Sequence, residues 1–208
     1  MDRPSKRWIV APAAPASHFA RFAHIAPLIV QLLYNRGLID PDDVEAFLRG
    51  EARLDNPYSM RGMNEAVTRI RRAIRQGEGI AVYGDFDADG VTATALMVQT
   101  LSALGAIVRP YIPHRVDEGY GLNNGALAEL AREGQRLVIT VDCGIRSLAE
   151  VAYAGRLGMD VIVTDHHSIG PELPPALATL NPKRRDCPYP FEGLAGVGIA
   201  YKLAQALL

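Results

Sequence analysis

The sequence predicts an α/β protein, in which a parallel β-sheet flanked by helices follows an N-terminal helical layer. Three observations predict this class. From residue 79 onward, short apolar runs alternate with helical stretches, which is the pattern of repeated βαβ units. Before residue 79, turn and cap residues bound several short helical stretches. The chain has 208 residues, 49% of them hydrophobic and 22% charged, so it can form a substantial core.

The N-terminal part is predicted to be a flexible arm followed by helices. The arm covers residues 1–17, which are rich in Ala and Pro, and the helical segment covers residues 18–78. The helices have clear end signals, because Pro suits a first helical turn and Gly suits the left-handed residue that follows the last turn. These signals place three helices at about residues 27–37, 41–50 and 64–76.

Residues 79–208 are predicted to form one domain built on the parallel sheet. The strand candidates are the apolar runs at residues 79–84, 106–112, 136–141 and 159–164. The helices between them centre on residues 92–104, 124–133 and 147–156. Right-handed crossovers then place the helices against the faces of the sheet. The chain ends inside an apolar helical pattern, so we expect a longer protein with this domain truncated at its C-terminal end.

Charge and cysteine content restrict the function classes. The net charge is −1, so a polyanion must be held by a local patch and not by a global field. Cys143 and Cys187 form no CxxC pair, which favours a reducing compartment. The apolar runs are too short to span a bilayer. We therefore expect a cytoplasmic protein with no membrane partner.

Polar side chains follow every predicted strand, at the edge where an open parallel sheet binds its ligands. In chain order they are Asp85, Asp87 and Asp89, then His114 and Arg115, then Asp142, and finally Asp165, His166 and His167. Carboxylates packed so closely raise one another's pKa unless a cation lies among them. Mixed imidazole and carboxylate ligands favour Mn²⁺ over Mg²⁺, and two such ions can hydrolyse a phosphodiester.

Two other readings of the "DFDADG" motif are weaker. The EF-hand loop pattern fits its first six residues, but the twelfth position, which should be Glu, is Leu96. The aspartyl-phosphate motif of haloacid-dehalogenase-like phosphatases resembles "DADGVT", but that family would need a downstream Lys and a paired acidic loop. The only lysines are Lys6, Lys183 and Lys202, and no acidic pair follows the fourth strand.

The set of motifs resembles the DHH phosphoesterase superfamily, and within it the RecJ-like single-stranded-DNA-specific exonucleases. The resemblance rests on "DFDADG", "VDCG" and "TDHH", in that order, and on the flanking stretches "LLYNRGLID", "NPYSMRGMNEAVTRI", "HRVDEGYGLN" and "LAGVGIAYKLAQAL". It implies 5′-to-3′ exonuclease activity on single-stranded DNA in repair and recombination, with single-strand-binding protein and a helicase as partners. A phosphodiesterase of oligoribonucleotides or cyclic dinucleotides, and a non-catalytic DHH binding module, stay open as alternatives.

The resemblance also implies roles for the strand-end residues. Asp87 and Asp89 would bind different ions, Asp142 would bridge them, and His166 would be a further ligand. Asp85 would be either a ligand or a group that supports one. The implied metal set is therefore Asp85, Asp87, Asp89, Asp142 and His166, and the catalytic set is Asp87, Asp89, Asp142, His166 and His167.

Substrate contacts are expected from three residues. His167 would face the scissile phosphate, and Asp165 would orient a histidine, unless Asp165 and the histidines only cap the next element. Arg115 could hold a phosphate in a fork of donors, whereas Tyr120 could support a base or the loop itself.

The remaining predictions concern packing and the limits of the chain. Arg69, Arg71, Arg72 and Arg75 form a basic row predicted to be a solvated face, with contact to nucleic acid as the alternative. Cys143 is predicted to be a small buried residue. RecJ-like enzymes continue with a further ligand and a substrate-clamping domain. We therefore expect residues 1–208 to fold and bind at least one Mn²⁺ but to hydrolyse DNA slowly on their own.

Overall fold

The computed structural model describes residues 7, 9–50 and 55–208. It confirms the α/β class, with a five-stranded parallel sheet flanked by helices. The strands are β1 (Gly79–Tyr83), β2 (Ile107–Tyr111), β3 (Gln135–Val141), β4 (Asp160–Thr164) and β5 (Ala178–Leu180). The helices are α1 (Ala16–Arg21), α2 (Pro27–Asn35), α3 (Pro41–Arg49), α4 (Met63–Gln76), α5 (Ala88–Ala103), α6 (Asn124–Arg132), α7 (Leu148–Arg156) and α8 (Gly196–Leu207).

The chain divides into two compact units, Met1–Leu54 and Asp55–Leu208. In the first unit, α1 to α3 enclose a small core of Phe22, Val30, Leu33 and Val44. Gly37 and Gly50 have positive φ angles of 77° and 68° after their helices, as the end signals predicted. Residues 9–15 have no regular secondary structure, and residues 1–6 and 8 of the predicted arm lie outside the described residues.

Helix α4, which the sequence analysis grouped with the N-terminal helices, belongs to the second unit. Its buried side chains Met63, Val67 and Ile70 join the core on one face of the sheet. The amphipathic pattern of α4 therefore serves the sheet domain. A short 3₁₀ turn at Pro57–Ser59 precedes it.

The order of the strands locates the ligand crevice. The sheet runs β2-β1-β3-β4-β5, so the chain leaves β1 toward one side and returns to place β3 on the other side. The crevice of an open parallel sheet lies outside the carboxyl ends of the strands at such a reversal. The ligand site is therefore expected where β1 and β3 end. Strand β5 was not predicted, since three residues give too short an apolar run to recognise.

The strands β1, β3 and β4 are covered on both faces, which explains their continuous apolar runs, whereas the edge strand β2 is mostly exposed. Alternate residues of β1 enter different cores: Ile80 and Val82 pack on one face, and Ala81 and Tyr83 on the other. This burial holds the strand ends, and the polar residues that follow them, on a rigid support.

The basic row of α4 corrects one prediction. Arg69 is only 5% exposed, and it donates hydrogen bonds to Asp160 at 2.5 Å and to Glu78 at 2.6 Å. The prediction of a solvated face is therefore wrong for this residue, which joins α4 to the amino ends of β1 and β4. Arg71 donates to the carbonyl of Leu207 at 3.1 Å. Among the described residues, no helix is both long and apolar enough to cross a membrane.

Candidate metal centre

The first acidic group follows β1. Asp85 is 4% exposed, and Gly90 packs so closely on it that an added Cβ would lie 2.6 Å from the Asp85 Cβ. Asp87 is exposed and caps α5, with its Oδ1 accepting a hydrogen bond from the Gly90 amide at 2.9 Å. The glycine of the motif therefore allows the tight turn that brings these two carboxylates together.

The second acidic group is Asp142 alone, directly after β3. It is 1% exposed and has a φ angle of 63°, making it the one described non-glycine residue with positive φ. Its amide donates to the Thr164 carbonyl at 3.0 Å, which ties it to the end of β4. Strained conformations of this kind persist where the surrounding structure fixes them, and they cluster at functional sites.

The third group follows β4 and is organised by Asp165. The Oδ1 of Asp165 accepts two hydrogen bonds from His167, one from its main-chain amide at 3.0 Å and one from its ring Nδ1 at 2.7 Å. The Oδ2 of Asp165 accepts a hydrogen bond from the Ile145 amide at 2.9 Å. With Nδ1 engaged, the Nε2 of His167 is the nitrogen left for a ligand or substrate. No helix begins between His167 and Gly196, so Asp165 and the two histidines do not cap a helix.

These groups meet in two overlapping clusters of ligand atoms. In one, atoms of Asp85, Asp87 and Asp142 all lie within 4.8 Å of one another, and in the other the same holds for Asp142, His166 and His167. Asp142 belongs to both clusters. Its Oδ1 lies 3.1 Å from the Nε2 of His166.

Asp89 is placed differently from the other strand-end carboxylates. It lies beside the second cluster, with its Oδ2 3.6 Å from the Nε2 of His166, but outside the two clusters found among the described residues. Its carboxylate accepts hydrogen bonds from the amides of Gly196 and Val197. Asp89 is therefore near enough to join a metal site, and its position is set by α8.

The electrostatics favour a cation at this place. Burial first, and then the charges of Asp89 and Asp87, raise the pKa of Asp142 from 3.8 to about 7. Burial is also the main cause of the raised pKa of Asp85. The Oδ1 of Asp142 is buried and accepts no hydrogen bond in the described structure. A buried carboxylate oxygen without a donor, beside imidazole nitrogen and further carboxylates, suits a divalent ion with mixed nitrogen and oxygen ligands.

The predicted substrate residues surround this centre. The guanidinium of Arg115 lies over the ring of Phe86, 5.0 Å from its centroid, so it projects beside the first acidic group. The hydroxyl of Tyr120 is 3.4 Å from the Nδ1 of His167 and 3.4 Å from the Asp142 carbonyl. His114 pairs with Asp117 at 2.8 Å and is absent from both ligand clusters.

Glu118 shapes the loop that carries Arg115 and Tyr120. It accepts hydrogen bonds from the Tyr111 hydroxyl at 2.6 Å and from the His114 amide at 2.7 Å. The His114 amide, followed by Tyr111, lowers the pKa of Glu118. The loop is therefore supported by an ionised carboxylate.

Several residues near the centre were missed by the sequence analysis. Lys183 donates from Nζ to the His166 carbonyl at 2.5 Å, and Asn181 donates to the His167 carbonyl at 3.0 Å. Both follow β5, the strand that was not predicted. Their signal would have been "TLNPK", an apolar run ending in polar residues like the other four. Cys143 is fully buried, as predicted, and burial raises the pKa of its thiol.

Comparison with known proteins agrees with the fold and the motifs. Residues 79–207 match the model of the DHH family, N-terminal domain. The chain is 50% identical over 186 residues to the single-stranded-DNA-specific exonuclease RecJ of Bacillus subtilis, and 42% identical over 187 residues to RecJ of Escherichia coli. These alignments cover 89% of this chain but only 24% and 32% of the two relatives, so the chain spans about a quarter to a third of their length.

Solved structures of RecJ proteins also resemble this chain. RecJ from Thermus thermophilus in complex with Mn²⁺ superposes with a TM-score of 0.76 at 34% identity, over 97% of this chain and 28% of that one. A crystal structure of exonuclease RecJ bound to manganese matches with a TM-score of 0.65 at 44% identity, over 71% of this chain and 37% of that one.

Proposed function

Because the chain belongs to the DHH family, we propose that it carries the metal centre of a single-stranded-DNA exonuclease that works in the 5′-to-3′ direction. The observation that carries this proposal is the position of Asp142 in both ligand clusters. One buried carboxylate between two sets of donors is what a pair of ions sharing a ligand requires. The identity to RecJ over most of the chain supports the choice of substrate.

The metal is a divalent cation, and we propose two Mn²⁺ ions, with Mg²⁺ as the alternative. The ligands would be Asp85, Asp87 and Asp142 for one ion, and Asp142 and His166 for the other, with Asp89 beside them. When bound, the ions supply an activated water and neutralise the charge on the leaving oxygen. Two RecJ structures that resemble this chain contain manganese, and a third contains Mg²⁺.

The remaining side chains would bind and orient the strand. His167, held by Asp165 through Nδ1, presents Nε2 toward the scissile phosphate. Arg115 is held over Phe86 with its donors free to fork onto a phosphate. The hydroxyl of Tyr120 hydrogen-bonds near His167, so we assign it to keeping the loop against the centre and to contact with a base.

The cellular setting of the proposal follows the family. We propose a cytoplasmic enzyme of DNA repair and recombination, with single-stranded DNA as substrate and with single-strand-binding protein and a helicase as partners. We also propose a division into an arm (1–17), a helical segment (18–78), whose last helix α4 packs on the sheet, and a DHH catalytic domain (79–208).

A chimera tests the function in a complete protein. This chain would replace the matching segment of Bacillus subtilis RecJ, and the product would be assayed with Mn²⁺ on single strands labelled at either end. Early release of the 5′ label as a mononucleotide is expected. Shortening from the 3′ end would contradict the polarity, and cleavage confined to oligoribonucleotides or cyclic dinucleotides would contradict the substrate.

The isolated chain tests how much the centre does by itself. At equal molarity and saturating Mn²⁺ we expect residues 1–208 to bind metal but to cut single-stranded DNA far more slowly than the chimera. The His166→Ala variant serves as the blank for contaminating nuclease. An equal rate in the isolated chain, absent from that blank, would show that the strand-end motifs are sufficient. Metal binding without cleavage in the chimera would favour a non-catalytic module.

A further inference from the structure

The first turn of α8 holds the carboxylate of Asp89. The amide of Gly196 donates to Oδ2 at 2.8 Å and the amide of Val197 donates to Oδ1 at 2.7 Å, so each oxygen has its own donor. The first amides of a helix have no partner within the helix, and the helix dipole favours a negative charge there. Asp89 is therefore fixed by main-chain donors that lie more than a hundred residues further along the chain.

The same turn also lies against Asp142. A Cβ added to Gly196 would lie 2.6 Å from both the Cβ and the Oδ1 of Asp142, closer than such atoms approach. Gly196 is absent from the glycines with positive φ, so its backbone would accept another residue. Glycine is needed at this position because of the close approach of the helix to Asp142, and not because of its backbone angles.

From these contacts we infer that the first turn of α8, Gly196 and Val197, is a positioning element of the metal centre. It fixes Asp89 through two hydrogen bonds and Asp142 through close packing, and so sets the distance between two proposed ligands that come from different strands. The inference rests on the proposed function, because it assumes that the centre binds metal. Neither residue would touch the substrate.

Proline at position 197 removes one of the two donors. Proline lacks the N–H but fits the first turn of a helix, so Val197→Pro should lose the bond to Asp89 and keep the helix. Because the residue before a proline is restricted, the absence of a Cβ at Gly196 helps to accommodate it. Val197→Ala is the matched control, since it shortens the side chain and keeps the N–H.

Alanine at position 196 tests the packing contact. Gly196→Ala places a methyl group against Asp142, whereas the control Gly198→Ala places one 3.2 Å from the flexible end of the Leu194 side chain. Alanine favours helix over glycine, so neither change should lower stability through helix propensity. If Val197→Pro does not fold, the comparison of Gly196→Ala with Gly198→Ala still tests the inference.

The measurements are the Mn²⁺ dissociation constant, the electron paramagnetic resonance spectrum of the bound Mn²⁺, and the melting midpoint without metal. Loss of a group that orients a ligand typically weakens metal affinity by about 10- to 100-fold, and this is the loss expected in Val197→Pro and Gly196→Ala. The spectrum should change in the same variants. The methyl group placed against Asp142 and the lost hydrogen bond to Asp89 should each lower the metal-free midpoint relative to the control. Affinity and spectrum are therefore compared at a temperature at which the variant and its control are both folded, where a purely structural role would leave the spectrum unchanged.

The outcomes separate this inference from the proposed function. Weaker binding in at least one folded variant, with its control unchanged, supports the positioning role. Wild-type affinity and spectrum in both variants would overturn the inference and leave the proposed function intact. If the wild-type chain binds no Mn²⁺, both are wrong.

Discussion

Replacing Asp142 by asparagine should make the metal-free protein more stable at pH 8. Burial, together with the charges of Asp89 and Asp87, raises the pKa of Asp142 from 3.8 to about 7, so the folded state holds this proton more tightly than the unfolded state does. The free energy of unfolding therefore falls as the pH rises from about 4 to about 7. Asparagine has nearly the same shape and no charge, so it avoids this cost.

The magnitude follows from the shift in pKa. A change of about three pKa units corresponds to about 4 kcal/mol at about 1.36 kcal/mol per unit, once the pH is above both pKa values. Relaxation of the site reduces this, so we expect a gain of about 1–3 kcal/mol at pH 8. At pH 5.5 the folded carboxyl is mostly protonated, and about half of the gain should remain.

The assay is urea unfolding in the presence of EDTA, followed by far-ultraviolet circular dichroism at pH 5.5 and pH 8. Asp87→Asn is the control, because Asp87 is exposed and asparagine keeps the cap of α5, so its gain should be much smaller. A loss of stability in Asp142→Asn, or an equal gain at both pH values, would refute the reasoning that a buried charge destabilises the metal-free site.

Three further predictions address the centre and its support. Mn²⁺ should raise the melting midpoint of the wild-type chain, and more at pH 8 than at pH 6, because a proton competes with the ion for Asp142. The shift should disappear in Asp142→Ala. Equal shifts in both proteins would remove this residue from the site. Arg69→Ala should cost about 2–3 kcal/mol in chemical unfolding, because it removes the buried partner of Glu78 and Asp160, which are themselves 20% and 39% exposed. The exposed neighbour Arg72→Ala should cost about 1 kcal/mol or less, and similar losses would contradict this difference. Met97→Ala should cost about 2–5 kcal/mol, since Met97 is fully buried in the core beneath α5, and a loss below about 1 kcal/mol would show that the core closes over the cavity.

The sequence predicted the parts of the centre that follow strongly apolar strands. Asp85, Asp142 and His166 could be placed together because the carboxyl ends of neighbouring parallel strands share one edge. The prediction depended only on strand type and on the position of polar residues directly after each strand. The structure brings these side chains together, and the strands β1, β3 and β4 could be recognised because they are buried on both faces and their apolar runs are unbroken.

The parts that could not be predicted depend on contacts distant in sequence. The burial of Arg69 needs Asp160, which is 91 residues away, and no local pattern distinguishes this arginine from its solvated neighbours. Lys183 and Asn181, which contact the carbonyls of His166 and His167, follow a three-residue strand that is too short to give a periodic signal. His114 has the right position after a strand but turns to Asp117, because a polar residue at a strand end can also find a local partner.

The bond between Asp89 and α8 joins residues 107 positions apart, and this separation determines when the centre can form. A contact of such long range requires most of the domain to be in place before it forms, because closing so long a loop has an entropic cost that only later packing offsets. A peptide carrying "DFDADG" alone would hold its carboxylates without the donors and the partner aspartate that organise them. A divalent ion bound as proposed would therefore recognise the folded domain and not the unfolded chain, so a newly made molecule would bind it only after its topology is complete.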